Sequence, residues 1–401
     1  MISKKVIKNL FLVFLGLILL YSLGLISVYL IPDSLIFEKW QTSVEIIASE
    51  SKRWMVVPGN EATKLDTFTD NLIFQRLTND KYSNALFSSF WIDGYYRYWM
   101  GIHVLLRPLL LFIDYSGIRY FNIFLLMGLF GFSFSLIKKY VGNWMAIIYV
   151  ISLGMIHAWI FPLSLQYSSA FIVMLFAILV MFYLYSKDSL SSKKIYLFFM
   201  IGSLTNYFDL LTVPLLTYGI PFVILFSLEN KGKLNNVLEN YYLLIISGVT
   251  WLLGYSFTWI TKWILGSIIL KENIIHFAIQ QILFRTSGNE AVPVDRLTTL
   301  NQLFDLMFPS YMLKLIIGII IVWVILFIFY KKPWKELLSL TPLILISLLP
   351  YAWFIILGNH NQHHSYFTYR IQAITVFSIF TFMILSLNMT KINAKLHKIS
   401  K

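Results

Sequence analysis

The chain contains no cysteine among its 401 residues. Disulfide bonds, thiolate nucleophiles and cysteine-based metal sites are therefore excluded. Charged residues are also scarce: they make up 13% of the chain, whereas soluble domains usually carry about 25%. The hydrophobic share is 58% and the aromatic share is 17%. This composition indicates an integral membrane protein, and it leaves no long stretch of soluble character outside residues 32–100.

Hydrophobic runs long enough to cross a membrane recur along the chain. A bilayer core is about 30 Å thick and needs roughly 20 apolar residues per helix. The sequence therefore predicts an all-α membrane domain over residues 1–401, with about ten transmembrane helices. The first run is too long for a signal peptide and no cleavage site follows it, so we expect it to be retained. The predicted spans are residues 10–31, 117–137, 143–161, 166–186, 195–209, 211–228, 241–265, 312–330, 338–357 and 366–388.

Positive charge is confined to one side of this layout. One set of connections and both termini hold 17 basic and four acidic residues, and the remaining 15 basic and 15 acidic residues cancel. The positive-inside rule makes the basic side cytoplasmic. We therefore predict a multi-pass plasma-membrane protein with both termini in the cytoplasm. The basic charge is expected to face anionic lipid headgroups, and no nucleic-acid-binding motif is present.

Arginine is missing from the predicted cytoplasmic side, where every basic residue is a lysine. Lysine satisfies the topology, whereas the planar fork of arginine matches phosphate or carboxylate groups. The partition predicts that some outer arginines hold an anion. The arginines are Arg53, Arg76, Arg97, Arg107, Arg119, Arg285, Arg296 and Arg370.

Two long outer connections carry most of the remaining polar chemistry. They are residues 32–116 and residues 266–311. In the first, the apolar run from Met100 to Ile113 has the length of an interfacial or re-entrant helix rather than a span. The fifth span is short, so we expect it to end in a non-helical stretch near residues 206–212. Tyr95, Tyr96, Tyr98 and Trp99 are typical of an interfacial belt, and they would also stack on a sugar ring.

Two acidic residues in the first outer connection are candidates for catalysis. Asp66 and Asp70 are four residues apart, so on a helix they would share a face and repel unless a cation or a substrate hydroxyl separates them. One of them would act as general base or metal ligand. The competing interpretation is a pair of solvated loop acids, with a helix N-cap at Thr67 or Thr69. Asp93 and Arg97 have the same spacing with opposite charges, which favours a structural ion pair.

A third group of candidates lies near the last span. His360, His363 and His364 resemble a metal site, but no acidic residue is near them in sequence, so hydrogen bonding at the interface is favoured. A third interpretation, in which these histidines orient a phosphate or a sugar, ranks between the metal site and the hydrogen bonding. Arg370 begins a span, and a buried guanidinium needs an anionic partner. Either Asp209 or a ligand would supply it.

One family combines these features. A first span from the cytoplasm leads to a long outer loop with an early aspartate and interfacial helices, and many further spans follow. This arrangement resembles the GT-C superfamily of membrane glycosyltransferases. The segments Tyr207–Pro214 and Phe367–Arg370 also look like segments of Gram-positive membrane proteins of this type. The chain departs from the best-known members because it lacks an adjacent acidic pair in the first loop and a large C-terminal outer domain.

The resemblance implies a sugar donor linked to polyprenyl phosphate and a glycan or lipid acceptor on the outer face. It implies Asp66 or Asp70 as base, and basic residues as ligands of the lipid phosphate. The candidates for that binding role are Arg97, Arg285, Arg370, His363, His364 and Asp209. The resemblance leaves open whether a divalent metal takes part in the reaction. The alternatives are a polysaccharide polymerase or ligase, and a non-enzymatic flippase or transporter of lipid-linked sugars. A transporter would place ionisable groups near the midplane, where these spans carry almost none.

Overall fold

The computed structural model describes residues 3–50, 54–78, 84–91, 95–232, 234–392 and 395, and these residues form helices and no strands. Short 3-10 helices lie at Glu61–Thr63, Ala158–Leu163 and Tyr369–Gln372. The α-helices are α1 (Lys4–Tyr29), α2 (Asp33–Ser49), α3 (Thr67–Gln75), α4 (Ala85–Phe90), α5 (His103–Leu109), α6 (Tyr115–Tyr140), α7 (Asn143–Met155), α8 (Leu165–Ser186), α9 (Leu190–Phe208), α10 (Leu216–Glu229), α11 (Val237–Leu270), α12 (Ile274–Ser287), α13 (Arg296–Met307), α14 (Ser310–Tyr330), α15 (Trp334–Ser339), α16 (Thr341–Ser347), α17 (Leu349–Ile356), α18 (Gly358–His363), α19 (Ser365–Thr368) and α20 (Ala373–Leu385).

The structure confirms a helical protein with several helices suited to crossing a membrane. Within the described residues, seven helical stretches are long and apolar enough: α1, α6, α8, α11, α14, the broken run Trp334–Ile356 and the run Ser365–Leu385. The shorter helices α7 and α10 are also apolar, and α9 covers the predicted fifth span. Each predicted span therefore coincides with a helix, while the full set of ten crossings and their orientation stay predictions.

Helices α9 and α11 approach each other closely through two glycines. A Cβ atom added at Gly202 would lie 2.0 Å from the carbonyl oxygen of Trp251, and one added at Gly254 would lie 2.0 Å from that of Phe199. Small residues let membrane helices pack with their backbones close together. Because no hydrophobic effect draws helices together inside lipid, dispersion contacts at such crossings supply the attraction. This crossing holds the end of α9, and the turn that follows it, in a fixed position.

The two long connections meet at one end of the bundle, which we call the loop-rich end. It consists of the described residues of 32–114 and 271–309 and the turns at residues 156–164, 209–215 and 357–370. The ring of Tyr96 lies 6.3 Å from that of Phe277 across the two connections. Ion pairs fasten the first connection: Arg107 donates to Asp33 at 2.7 Å, and Arg119 binds both carboxylate oxygens of Glu50. Helix α5 lies within the predicted run 100–113. Helix α2 was not predicted.

Replacing Gly202 or Gly254 with alanine is expected to destabilise the protein. The new methyl group would have to displace backbone atoms, and overpacking of this kind typically costs about 1–3 kcal/mol. Gly128→Ala and Gly131→Ala are matched controls, because nothing lies within 4 Å of a Cβ at either site of helix α6. Thermal unfolding of the detergent-purified variants checks this, and equal unfolding temperatures for all four variants would contradict the packing described.

Candidate functional site

Asp70 fastens the first connection to the bundle. Its side chain is fully buried. It accepts hydrogen bonds from the Tyr115 hydroxyl at 2.7 Å, the Ser164 hydroxyl at 3.1 Å, and the backbone N–H groups of Leu165 and Gln166 at 3.0 and 3.1 Å. Burial raises the pKa of Asp70 to about 6, and the donors from Tyr115 and the α8 backbone oppose that rise. A carboxylate has about four acceptor positions, so Asp70 is fully occupied by the protein.

Asp66 lies one turn earlier and is only half occupied. It is the N-cap of α3, where one carboxylate oxygen accepts from the Thr69 N–H at 3.2 Å and the other from the Thr69 hydroxyl at 2.7 Å. Its side chain is 2% exposed. The N-cap that the sequence placed near Thr67 or Thr69 is therefore Asp66 itself. Among the described residues each of its oxygens accepts one hydrogen bond and keeps a further lone pair open, which Asp70 does not have.

Arg370 is buried among carbonyl groups and aromatic rings. Its guanidinium donates to the carbonyls of Ala62, Ile156 and Tyr366 at 2.9, 3.2 and 3.2 Å. It also lies 4.4 Å from the centre of the Tyr167 ring. Carbonyl oxygens and ring faces thus take the place of the anionic partner that the sequence left open between Asp209 and a ligand. Arg370 joins the segment before Asp66 to the start of α20.

Asp209 follows α9 and shapes a tight turn. Both of its carboxylate oxygens accept from the Thr212 N–H, at 3.2 and 3.0 Å. Leu211 in this turn has a φ of 68°, a left-handed conformation that side chains branched as leucine rarely adopt. The turn therefore stores strain at the loop-rich end.

A basic cluster forms from residues far apart in sequence. The Arg285 guanidinium donates to Nε2 of His364 at 3.0 Å. Burial lowers the pKa of His360 to about 3, and the nearby charges of Arg285, His363 and Arg97 add to that effect. Arg97 lies over the rings of Tyr95 and Tyr98, 5.0 and 4.7 Å from their centres. The cluster, defined as Arg97, Arg285, His363 and His364, brings together four of the predicted phosphate ligands around the neutral His360.

Hydrogen-bond chemistry fixes the proton positions on two of these histidines. Arginine only donates, so His364 accepts at Nε2 and carries its proton on Nδ1. His360 is neutral and donates from Nε2 to the carbonyl of Leu211 at 2.9 Å, so its Nδ1 is an acceptor. The cluster thus presents arginine donors beside a buried histidine that accepts.

A row of rings connects the basic cluster to the aspartates. Tyr167 donates to the Lys64 carbonyl at 2.8 Å, two residues before Asp66. Its ring lies 6.1 Å from Phe367, which stacks on His364 at 4.9 Å. Local sequence signals do not reveal Tyr115, Ser164 or Tyr167, because the contacts they make span 45 residues or more. The predicted base and most of the predicted phosphate ligands therefore lie on the same end of the bundle.

An apolar groove opens sideways below this end. It lies between α5, α8 and α9 and has a volume of about 460 Å³. Along α8 it runs from Ser169 to Val180, which is roughly 16 Å of helix. Ile102 and Phe208 line the end of the groove nearest the loop-rich end, and Phe208 directly precedes Asp209. The groove therefore reaches the turn whose Leu211 carbonyl accepts from His360.

The residues here do not fit a metal ion. Among the described residues, no three His, Asp or Glu side chains are placed to hold one. Asp70 offers no open oxygen, because four protein donors occupy its carboxylate. The expected ion pair of Asp93 with Arg97 lies outside the described residues. Three other arginines contact the protein itself. Arg107 and Arg119 form ion pairs, and Arg296 donates to the carbonyls of Ile355 and Thr286, so these three have structural roles.

Asp70→Asn is expected to lower the stability of the protein. An amide in this position would turn an NH₂ group toward backbone N–H donors and leave at least one buried donor unpaired, at a cost of about 1–3 kcal/mol. Asp66→Asn should cost much less, because asparagine is also a good N-cap. Urea or thermal unfolding of the two variants measures the difference. Equal stability of Asp70→Asn and the unmodified protein would show that Asp70 does not fasten the loop.

Comparison with known proteins found no matching family model, no matching curated protein and no matching solved structure. No relative therefore supports or opposes the resemblance to GT-C enzymes. The functional assignment of this chain rests on the chemistry of its own residues: a half-occupied aspartate, an arginine-histidine cluster and an apolar groove at one end of a helical membrane protein.

Proposed function

We propose that the protein is a membrane glycosyltransferase of the GT-C type, which transfers a sugar from a polyprenyl-phosphate donor to a glycan or lipid acceptor. The loop-rich end would face the outside of the cell. One observation carries the proposal: the basic cluster and Asp66 lie at the end of the bundle where an apolar groove opens toward lipid. A donor that is both anionic and long-chained needs these two surfaces next to each other.

The donor phosphate would be held by the basic cluster. Arg285 has no carboxylate partner among the described residues, and its Nε atom is buried without a hydrogen-bond partner there. A guanidinium in this state favours a bound anion. His364, oriented by Arg285, adds an Nδ1–H donor. Arg97 adds positive charge to the same cluster, and the exposed His363 lies at the solvent-facing edge of the cluster.

The polyprenyl tail would lie in the groove between α8 and α9. The groove is lined by Val173, Ala177, Leu197 and other apolar side chains. Burying a hydrocarbon chain there keeps it out of contact with the polar loops, while the groove stays open to the bilayer. The tail would thus enter sideways and place the phosphate near the Asp209–Thr212 turn.

Transfer needs a base, and Asp66 is the better placed of the two predicted aspartates. The acceptor hydroxyl oxygen attacks the anomeric carbon, and the bond from that carbon to the phosphate oxygen breaks. The hydroxyl proton passes to Asp66, and the electron pair leaves with polyprenyl phosphate. Arg285 and its neighbours stabilise the charge that develops on that leaving group. Asp70 positions Asp66 by holding α3 on α8.

The base assignment predicts that Asp66→Asn reduces transfer by about 10²–10⁴-fold, the usual contribution of a positioned general base. The assay is transfer from a polyprenyl-phosphate sugar in purified membranes, with expression matched. Asp295→Asn is the control, because Asp295 caps α13 through the same pair of contacts, from Thr298 N–H and hydroxyl at 3.0 and 2.7 Å, but is exposed. Equal activity of both variants would reduce Asp66 to a helix cap.

The phosphate site predicts a distinct effect at Arg285. Arg285→Lys keeps the charge but loses the fork that reaches both His364 and the donor, so the KM for the donor should rise about tenfold or more. Arg296→Lys is the matched control on the same connection. Protein stability should change little in either variant. If Arg285→Lys retains the donor KM of the unmodified enzyme, the basic cluster is not the phosphate site.

A further inference from the structure

Helix α18 carries three consecutive buried polar side chains that the fold does not satisfy. Asn359, His360 and Asn361 are at most 3% exposed. Within the described part of the chain, Oδ1 of Asn359, Nδ1 of His360 and Oδ1 of Asn361 have no hydrogen-bond partner. Buried polar atoms are paired in the great majority of cases. Three open atoms in one turn of helix therefore mark a place for donors that the described residues do not supply.

The chemistry of the neighbours shows that all three open atoms are acceptors. The amide nitrogen of Asn359 donates to the Phe284 carbonyl at 2.8 Å, and that of Asn361 donates to the Leu357 carbonyl at 2.8 Å. Carbonyl groups only accept, so the nitrogen and oxygen of each amide cannot be exchanged. His360 is fixed in the same way by the Leu211 carbonyl. An anion offers only acceptors and would not satisfy these atoms, whereas a hydroxyl group would.

One open donor and several flat rings lie beside Leu211, whose carbonyl accepts from His360. Nε1 of Trp353 is buried and has no partner among the described residues. Trp353 packs in one apolar cluster with Leu211, Tyr98 and Trp259. The rings of Tyr98 and Trp259 are nearly parallel, with centres 6.1 Å apart and an angle of 24°. Flat rings beside mixed donors and acceptors match a sugar, which has apolar faces and hydroxyl edges.

We propose that α18 and Trp353 form a subsite for an uncharged sugar ring. One ring hydroxyl donates to Nδ1 of His360, and another hydroxyl oxygen accepts from Nε1 of Trp353, since both side chains lie beside Leu211. Asn359 and Asn361 flank His360 on the adjoining faces of the helix and accept from hydroxyl groups or ordered water at the edges of the subsite. The inference rests on the proposed function in one respect: the sugar is the one that the donor carries, and Arg285 next to it holds the phosphate. Arg285 thus binds the charged phosphate of the donor, and the open atoms of α18 bind the hydroxyl groups of its sugar.

The test measures thermal unfolding of the purified protein in lipid nanodiscs, with neutral monosaccharides such as glucose, galactose and N-acetylglucosamine as probes. At least one sugar should raise the unfolding temperature. Trp353→Phe should abolish that increase and leave the unfolding temperature without sugar unchanged, because the indole N–H has no protein partner to lose. An increase of the same size in Trp353→Phe would reflect general osmolyte stabilisation and overturn the subsite, as would no increase with any sugar.

Two further variants complete the experiment. Trp323→Phe is the control: its indole donates to the Met383 carbonyl at 3.0 Å, so it should lower the unfolding temperature but keep the sugar effect. His360→Phe should lose the sugar effect and His360→Gln, which keeps a donor and an acceptor, should retain it. This pair decides the question if Trp353→Phe does not fold. Loss of the effect in His360→Gln as well would contradict the assigned acceptor role.

A prenyl phosphate without sugar separates this inference from the proposed function. It should stabilise the unmodified protein and Trp353→Phe equally, because its phosphate and tail bind elsewhere. Stabilisation by the prenyl phosphate but not by sugars overturns the subsite and leaves the transferase proposal standing. Stabilisation by sugars alone supports the subsite and removes the lipid-phosphate donor.

Discussion

The carboxylate of Asp70 holds the loop-rich end together. Its four donors come from α6, from the residue before α8 and from the first residues of α8. Through this contact, a connection that would otherwise lie loosely over the bundle is fixed to two of its membrane helices. The position of Asp66 follows, because it lies one turn earlier on the same helix. The segment before it is held in turn by Arg370 and Tyr167.

The membrane explains why so many of these charges have structural roles. An ionisable group close to lipid is costly unless neighbours satisfy it. Asp70, Arg107, Arg119 and Arg370 are each satisfied by the protein itself, through carbonyls, hydroxyls or an opposite charge. Arg285 and α18 differ from these, because buried atoms of Arg285, Asn359, His360 and Asn361 have no hydrogen-bond partner among the described residues. That contrast separates groups that build the fold from groups available to a ligand.

Much of the helical layout could be predicted, because the thickness of a bilayer sets the length of an apolar run. Helix α2 was missed although its core side is regular: Ile36, Ser43 and Ile47 are buried, and Trp40 donates to the Phe74 carbonyl at 2.8 Å. The spacing of these four positions is helical, but the polar residues between them concealed it. The N-cap at Asp66 has a local sequence signal, because the same Asp-x-x-Thr pattern forms the N-cap of α13 at Asp295.

The site itself could be predicted only in part. Arg97 and Arg285 were singled out because arginine is absent from the predicted cytoplasmic connections, and the histidines because three of them lie within five residues. Nothing local shows that residue 285 meets residue 364. Arg370 was expected to need an anion, and it instead binds three carbonyls, which no sequence pattern signals. The open acceptors of α18 depend on where Phe284 and Leu211 carbonyls lie. Such contacts are set by packing between distant helices.

The central claim is that the groove between α8 and α9 leads a polyprenyl phosphate to the basic cluster. Photo-crosslinking tests it most directly, with a polyprenyl phosphate that carries a photoreactive group in its isoprenoid chain and with mass spectrometry of the labelled peptides. The account predicts labels on residues 172–180 and 197–208, removed by competition with unlabelled polyprenyl phosphate and reduced in Arg285→Lys. Labels spread over the lipid-facing sides of α1, α6 and α14, unaffected by competitor, would contradict it.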